Sequence, residues 1–532
     1  MVLEVDPIRK NQRSVDDLIE ELVEHRTWKY TLMVLYISIA QVYAATSSFV
    51  TTFAGMDPEP GDIWSCISEK CKNLTTDNTT LLEMFPCDIT ELLDGKEELV
   101  FGPSDIKWHL QRTSFSADLD LYCDVGSRSA QKTLIDSMFF VGSLLGLVTG
   151  GYVWDNIGRV NSARVSVLVT VIAHLVGTWC HNYSILLAIR FFTGFGDFVT
   201  FTGTYILMME LTGIKYRTSV NAFQGLTWVL GYPFLIATGY LNYDWNYMFL
   251  TTAILALVCN LHVYVFLIES PRFHLVNNDM KAAKKSLKAL AALTTADLDV
   301  DEIEIVDTEK VNDRKQTFIQ QLKDLWTYPV LLKEGLCLAP LWFCINMFYY
   351  GFNFAWDMIL PSASLYLGFV MGGVGEAIAC CLSMPVIQFL GRRRAMIVFQ
   401  CLSALVFLIA IADVDLGNDW GLDSVLSLIG LTTVSICFSN VYLWTSEIAP
   451  TSHRGLAYTL GSGLGKFGGF AGPYVFNNLG PATTRAVPWI LLAVLSLLCA
   501  LAAVFLIETG DKELTHVPAE VQERRKGFRY RI

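Results

Sequence analysis

The sequence predicts an all-α polytopic membrane protein with twelve transmembrane helices in two related six-helix bundles. Of the 532 residues, 53% are hydrophobic and 17% are charged, whereas soluble domains average about 25% charged residues. Twelve separate apolar runs are long enough to cross a bilayer. Charged landmarks also recur in the same order in both halves of the chain. The net charge of −12 argues against a nucleic-acid partner.

Each predicted span covers about 20 mainly apolar residues, which as an α-helix cross a hydrocarbon core about 30 Å thick. The alternation of a β-barrel is absent, since runs such as 490–506 are apolar on every face. The predicted limits are 30–54, 133–154, 163–180, 184–208, 218–241, 246–268, 335–356, 364–390, 395–412, 424–445, 456–477 and 487–507.

Basic residues predict which ends of the spans face the cytoplasm, because Lys and Arg in short loops stay inside. They occur in the loops after spans two, four, eight and ten and in the tail, whereas the loop between spans nine and ten carries only acidic charges. The termini, residues 1–29 and 508–532, are therefore predicted to be cytoplasmic. Residues 1–29 are polar and charged, so no signal peptide is expected there.

A long outer loop, residues 55–131, follows the first span. It contains four cysteines, for which we expect two disulfides in one of three pairings, and two sequons for N-glycosylation. The cysteines are Cys66, Cys71, Cys87 and Cys123, and the sequons begin at Asn73 and Asn78. A second long loop, residues 269–334, is predicted to lie inside, between an N-terminal bundle at 30–268 and a C-terminal bundle at 335–507.

An internal repeat relates the two bundles. Glu210 and Arg217 recur as Glu447 and Arg454 at an offset of 237 residues, with the same spacing within each pair. The glycine-arginine pair at 158–159 recurs at 391–392, and Glu269 recurs as Glu508. All of these residues fall at the predicted inner mouth, where we expect them to form a gate that latches in one state and opens in the other. The expected gate residues are Asp155, Arg159, Glu210, Arg217, Glu269, Arg272, Glu447 and Arg454.

These residues resemble those of a known family. The Gly-x-x-x-Asp-x-x-Gly-Arg of residues 151–159 is similar to the signature of the major facilitator superfamily. Over its whole length, the chain resembles the organic cation/anion/carnitine transporters, a family within that superfamily. Val160 and Gln388 depart from the family pattern, which has a basic and an acidic residue there. The stretches that carry the narrower resemblance are Ser14-Val-Asp-Asp-Leu-Ile-Glu-Glu, Ser114-Phe-Ser-Ala-Asp118-Leu-Asp-Leu-Tyr-Cys123-Asp124, Phe139-Phe-Val-Gly-Ser-Leu and Glu269-Ser-Pro-Arg-Phe273.

Three ionisable residues within the spans are candidate substrate-binding residues, because a charge at the bilayer centre costs about 2.5–3.5 kcal/mol on insertion scales. Lys466 lies near the middle of span eleven and is surrounded by glycines, Glu376 lies in span eight, and Asp197 lies in span four. The alternative for Lys466 is a structural ion pair with one of these two carboxylates. The resemblance places Lys466 where cation transporters carry Asp and where anion and carnitine transporters carry Arg. A cation there favours a carboxylate or sulfate.

Aromatic and polar stripes in spans seven and four are candidate cavity linings. Trp342, Asn346 and Tyr349 follow helical spacing, and buried amides need partners. Tyr350 belongs to an aromatic run that resembles the family's binding positions, and Phe201 and Tyr205 match positions that are aromatic in relatives. Such stripes also serve packing alone, and both interpretations stay open.

The leading hypothesis is a plasma-membrane carrier that moves organic ions, favouring anions, by alternating access. An organic-cation or carnitine-like zwitterion carrier is an alternative, and a non-transporting receptor or complex subunit is an alternative of another class. The sequence has no nucleophile elbow, metal-ligand spacing or phosphate loop, so we expect no enzyme, cofactor or metal site. The expected partners are a small organic ion and the lipid bilayer, with a counter-ion or exchange substrate and the oligomeric state left open.

Overall fold

The computed structural model describes part of the long outer loop, part of the loop between the bundles and nearly all of the predicted spans. The described residues are 12–57, 64–66, 106–108, 113–121, 128–212, 216–242, 244–265, 267–295, 300, 303–305, 323–324, 326–354, 356, 365–416, 422–450, 453–479 and 486–509. Cys71, Cys87, Cys123, Asn73, Asn78 and the side chain of Cys66 lie outside them, so the predicted disulfides and glycosylation stay predictions.

The described chain is mostly helical. Its helices are α1 Val15–Glu24, α2 Trp28–Ala54, α3 Phe115–Asp118, α4 Arg128–Ile157, α5 Arg159–Gly177, α6 Tyr183–Leu211, α7 Arg217–Val229, α8 Gly231–Leu241, α9 Trp245–Val265, α10 Pro271–Val276, α11 Met280–Ala291, α12 Pro329–Phe354, α13 Leu365–Leu390, α14 Arg392–Leu416, α15 Leu422–Ile448, α16 Arg454–Tyr474 and α17 Ala486–Val504, with a π-helical turn at Val475–Leu479. Short strands β1 Gln12–Arg13 and β4 Glu304–Ile305 pair in parallel, and β2 Trp64–Cys66 and β3 Ile106–Trp108 pair antiparallel.

Every predicted span coincides with a helix, and the fifth is divided between α7 and α8. Nine of the described helices are long and apolar enough to cross a membrane. The three spans that fall short have local reasons. The fifth is interrupted at Leu230, the eleventh contains six glycines and Lys466, and the apolar part of the twelfth is short. The predicted twelve-helix fold is confirmed.

The two bundles are built alike. In the first, α4 and α5 pack on α6 and α5 packs on α9. The corresponding helices of the second do the same, since α13 and α14 pack on α15 and α14 packs on α17. The bundles meet where α4 faces α16 and where α7 and α8 face α13. Residues that line these two seams are therefore the ones that can contact a substrate between the bundles.

The predicted outer ends of α4 and α16 are hydrogen-bonded across the bundle interface. Asn478 Nδ2 donates to Thr133 Oγ1 at 2.9 Å, and Ser137 Oγ donates to the Phe470 carbonyl at 3.0 Å. Ser129 also donates to the Asn477 carbonyl. These bonds close the outer end of this seam.

The chain segments before the first span and between the bundles meet beneath the first bundle. Leucines of α1, α6 and α11 share one buried cluster, which includes Leu18, Leu211 and Leu287. Thr27 donates its hydroxyl to the Leu293 carbonyl at 2.6 Å, and its oxygen caps α2 by accepting from the Lys29 N–H. This packing fixes the predicted inner end of α2.

Candidate functional site between the bundles

Lys466 is buried in α16 and its ammonium group lies against aromatic faces. The Nζ atom is 4.3 Å from the centre of the Phe198 ring and 5.8 Å from that of Tyr350, and the residue is 6% exposed. Cation–π contacts of this kind are worth about 0.5–2 kcal/mol, less than an ion pair in such a place. Among the described residues, no carboxylate forms an ion pair with Lys466, so the alternative of a structural pair has no support there.

Glycines explain how α16 presents Lys466. A Cβ at Gly468 would lie 2.0 Å from the Phe343 carbonyl oxygen, and one at Gly465 would lie 2.7 Å from Asn346 Nδ2. The glycine face of α16 is therefore fully occupied by α12. Lys466 leaves the helix toward the other bundle, where Phe198 of α6 meets it.

Glu376 occupies a second position at the bundle interface. Its carboxylate faces Trp228, Tyr232 and Tyr349. These neighbours already bond to one another or to α12. Trp228 Nε1 donates to the Tyr349 hydroxyl at 3.0 Å, and the Tyr232 hydroxyl donates to Asn353 Oδ1 at 3.0 Å. Glu376 Oε2 is buried and has no hydrogen-bond partner among the described residues.

Tyr350 is close to both charges. Its ring is near the Lys466 ammonium group, and its side chain is also close enough to Glu376 to interact electrostatically with that carboxylate. Its ring centre is 5.0 Å from that of Tyr349 and 4.4 Å from that of Phe140. The region thus has a positive end and a negative end, with aromatic surface between them.

The predicted pair Phe201 and Tyr205 also reaches this interface. Phe201 packs edge-on against Trp228, with ring centres 6.3 Å apart, and Tyr205 lies near Tyr442 of the other bundle. Phe438 and Tyr442 also reach this interface and were not predicted, although the sequence contains a signal for them. They stand 237 residues after Phe201 and Tyr205, at the same offset as the repeated Glu-Arg pairs. Other aromatic residues that were missed are Phe49, Phe140, Phe198, Trp228 and Tyr232.

Trp342 and Asn346 lie in the packing seam of the second bundle. Trp342 Nε1 donates to Thr445 Oγ1 at 3.0 Å, and its ring is 4.4 Å from that of Tyr442. Asn346 donates to the Trp342 carbonyl at 2.8 Å. Their role in substrate binding stays a prediction, and their contact with the region around Lys466 runs through Tyr442 and α16.

Asp197 is held apart from Lys466, within the first bundle. Its two oxygens accept hydrogen bonds from the hydroxyls of Tyr43 and Ser47, each at 2.5 Å. The following residue, Phe198, points to Lys466 instead. Asp197 therefore faces α2, whereas Lys466 of α16 contacts a different face of α6.

The repeated charges at the predicted inner mouth form matching arrangements in the two bundles. Arg159 pairs with Glu210 at 3.2 Å, and Arg392 pairs with Glu447 at 2.9 Å. Glu269 accepts the backbone N–H groups that begin α5, and Glu508 accepts those that begin α14. Carboxylates at these helix N-termini are stabilised by the orphan N–H groups and the helix dipole.

Three of the expected gate residues, Asp155, Arg217 and Arg454, have side chains outside the described part. Arg272 lies in α10, three residues after Glu269. Val160, which departs from the family pattern, is buried at the base of the first bundle and donates its N–H to Glu269 at 3.0 Å. An apolar residue therefore fits this position, and the carboxylate interaction is made by the backbone. The gating role itself stays a prediction.

Comparison with known proteins identifies the family. Residues 111–473 match the model of the Major Facilitator Superfamily. Organic cation/carnitine transporter 2 of Arabidopsis thaliana is 25% identical over 481 residues, which cover 88% of this chain and 86% of that protein. Solute carrier family 22 member 3 of Mus musculus is 25% identical, with 85% and 80% covered. A beta-alanine transporter of Drosophila melanogaster is 26% identical, with 80% and 70% covered.

The fold is also that of a solved transporter. The xylose transporter XylE from E. coli, in an inward-open conformation, superposes with a TM-score of 0.61 over 93% of this chain and 99% of that one, at 14% identity. This likeness concerns the fold alone. The family match shows that the chain is a multi-pass membrane transporter rather than an enzyme. It belongs to the Major Facilitator Superfamily and, within it, to an organic ion transporter family.

Proposed function

We propose that this transporter carries organic anions, carboxylates or sulfates on an apolar or aromatic body, and that Lys466 holds the anionic group. The observation that carries the proposal is a buried ammonium group with aromatic neighbours and no described counter-ion. Burying an unpaired charge costs several kcal/mol, and an anionic ligand offsets that cost. The aromatic faces of Phe198 and Tyr350 suit the organic body of such a ligand.

A zwitterion is the second candidate substrate, and Glu376 favours it. Its unpartnered Oε2 can accept an ammonium group while Lys466 binds a carboxylate at the other side of Tyr350. Relatives named for carnitine and beta-alanine agree with this candidate. The remaining site candidates, Trp342, Asn346, Tyr349, Phe201 and Tyr205, would then shape the space between the two charges.

We also infer the arrangement in the cell. The bundles at 30–268 and 335–507 alternate between inner and outer access at the plasma membrane, with both termini in the cytoplasm. The repeated charges at the inner mouth serve as the gate. The high density of Lys and Arg in the loops of that side supports this orientation.

Uptake by cells that express the chain tests the substrate class. Labelled aryl sulfate, a dicarboxylate, carnitine and a quaternary amine are compared for the parent, Lys466→Ala, Lys466→Arg and Glu376→Gln, each normalised to surface protein. The matched control is Lys333→Ala, which removes an exposed lysine at the end of α12.

For an anion carrier, Lys466→Ala lowers aryl sulfate uptake about tenfold or more. A hydrogen bond to a charged group contributes about 1.5–3 kcal/mol, and about 1.4 kcal/mol is a factor of ten. Lys466→Arg keeps part of the aryl sulfate uptake, and Glu376→Gln leaves that uptake unchanged. A zwitterion carrier loses carnitine uptake in both Lys466→Ala and Glu376→Gln. Uptake of the quaternary amine alone, unchanged by Lys466→Ala, would show that the anion proposal is wrong.

A further inference from the structure

A second set of buried polar and ionisable groups lies within the first bundle, away from the aromatic region. We call it the Asp197 network, and it consists of Tyr43 and Ser47 of α2, His174 of α5, and Arg190 and Asp197 of α6. Each of these residues is at most 4% exposed. The proposed substrate site uses none of the first four. Groups that are costly to bury and are not needed for the substrate call for another role.

The hydrogen atoms of this network can be assigned from its geometry. Tyr43 and Ser47 donate their hydroxyls to the two oxygens of Asp197. His174 Nδ1 is 3.0 Å from the Thr170 carbonyl oxygen, which can only accept, so Nδ1 carries a hydrogen. His174 Nε2 is 3.4 Å from Ser47 Oγ. Because the Ser47 hydroxyl already donates to Asp197, no hydrogen lies between His174 Nε2 and Ser47 Oγ when the imidazole is neutral.

One additional proton fits this gap. On His174 Nε2 it would donate to Ser47 Oγ, and it can then move on to the carboxylate. In that step the Nε2–H bond breaks and a new O–H bond forms on Ser47, while the original Ser47 hydrogen passes to Asp197 Oδ2. The imidazole becomes neutral, the carboxyl becomes protonated, and no other reactant is needed.

The surrounding charges favour a proton over a metal cation. The Arg190 guanidinium donates to the Ser47 and Ser48 carbonyls at 2.9 and 3.0 Å, so a positive group already stands beside the carboxylate. Asp136 of α4 faces Arg190, and Cys259 of α9 lies beside Tyr43. Within the described part of the chain, no cluster of three His, Cys, Asp or Glu side chains could hold a metal ion.

The network joins two helices of the first bundle at its interface with the second. The bonds of Tyr43, Ser47 and Arg190 connect α2 to α6, and Phe198, the residue after Asp197, contacts Lys466 of the other bundle. A protonated Asp197 accepts these two hydroxyls more weakly than a carboxylate does. Proton binding would therefore loosen the contact between α2 and α6 directly beside the residue that faces the substrate.

We propose that the Asp197 network is a proton-binding site through which substrate movement is coupled to proton movement. The inference rests on the chain being a transporter and is independent of the charge of its substrate. Infrared difference spectra of the purified full chain in acidic and alkaline buffer test it without any substrate. The parent shows a protonated-carboxyl band that Asp197→Asn removes and that Glu376→Gln, the control, keeps. His174→Gln shifts the pH at which that band appears. An Asp197→Asn spectrum identical to that of the parent overturns the proposal.

Transport in proteoliposomes gives the second readout, with aryl sulfate as the probe. An inward proton gradient raises uptake by the parent severalfold over uptake without a gradient, and the ratio falls to about one in Asp197→Asn. A sodium gradient that drives uptake without any proton gradient, or an unchanged ratio in Asp197→Asn, contradicts proton coupling. If aryl sulfate is not carried at all, the anion proposal fails while the infrared experiment still tests the network. If aryl sulfate is carried and the band is absent, only the proton site fails.

Discussion

Two constraints act on Gly391 at the residue scale. Its φ of +83° lies in the left-handed region, and a Cβ there would lie 2.8 Å from Glu508 Oε2, the carboxylate that accepts the first N–H groups of α14. Gly158 repeats both features, with a φ of +98° and Glu269 as neighbour. The repeated glycine therefore lets a carboxylate reach the start of the next helix.

We predict that Gly391→Ala destabilises the folded protein by about 1–2 kcal/mol or more, because a left-handed backbone is unfavourable for alanine and the Glu508 carboxylate must move. Thermal unfolding of the purified protein measures this. Gly335→Ala is the control, since a Cβ at Gly335 meets no atom within 4 Å. Equal melting temperatures for the two variants would argue against the constraint.

The ion pair of Arg392 with Glu447 gives a second prediction at this scale. The two groups form a fork, with Nε to Oε2 and Nη2 to Oε1 both at 2.9 Å. Arg392→Glu places two carboxylates together and should abolish uptake, while the added change Glu447→Arg should restore part of it. Arg394→Ala, which alters an exposed neighbour, is the control. A double variant no better than Arg392→Glu would show that the pairing is not what matters.

At the scale of the element, the glycine face of α16 decides how closely it packs on α12. A Cβ at Gly468 would lie 2.0 Å from a backbone carbonyl oxygen, which cannot turn away as a side chain could. Overpacking of a tight contact costs about 1–3 kcal/mol. We therefore expect Gly468→Ala to lower the yield of folded protein and its melting temperature.

The same helix supplies the matched control for this change. A Cβ at Gly463 would lie 3.5 Å from the Leu144 side chain, an ordinary contact. Gly463→Ala should therefore express and melt like the parent. If it proved as harmful as Gly468→Ala, general loss of helix flexibility would explain both, and close packing on α12 would not.

The break between α7 and α8 is an element that the sequence did not predict. The run at 218–241 is mainly apolar, and hydropathy alone treats it as one helix. Its second part begins at Gly231, where a Cβ would lie 2.4 Å from the Ala45 Cβ and 2.8 Å from the Val42 carbonyl oxygen. Pro233, two residues further on, has no N–H to donate to the Val229 carbonyl, which is a local cause of the break. Gly231 then allows the close contact with α2, which involves residues distant in the chain.

At the scale of the whole molecule, the sequence predicted the span limits and the repeat, because both depend on local hydropathy and charge. Which candidate residues lie together could be predicted only in part. Lys466, Glu376 and Tyr350 share one region as expected, but Asp197 belongs to a network of its own. Helical spacing identifies the residues on one face of a helix and leaves open which neighbour that face meets. That neighbour was α16 for Trp342 and α2 for Asp197.

Closure of the predicted outer end can be tested by a cross-link between the bundles. Thr133 and Asn478 are joined by a direct side-chain hydrogen bond of 2.9 Å, so cysteines at the two positions face each other across the seam and can be oxidised to a disulfide after a small backbone shift. Oxidised Thr133→Cys/Asn478→Cys should lose uptake, and a reducing agent should restore it, because alternating access needs this seam to open. Each single cysteine variant is the control. Undiminished uptake by the oxidised, cross-linked protein would contradict this.

The most direct test of the central claim, that Lys466 holds an anionic group, is a comparison of two ligands that differ only in charge. Binding of an aryl carboxylate and of its uncharged primary amide to the purified protein is measured for the parent and for Lys466→Met, which keeps the length and removes the charge. The account predicts that the parent prefers the carboxylate about tenfold or more and that the preference disappears in Lys466→Met. An equal preference in the two proteins would contradict it.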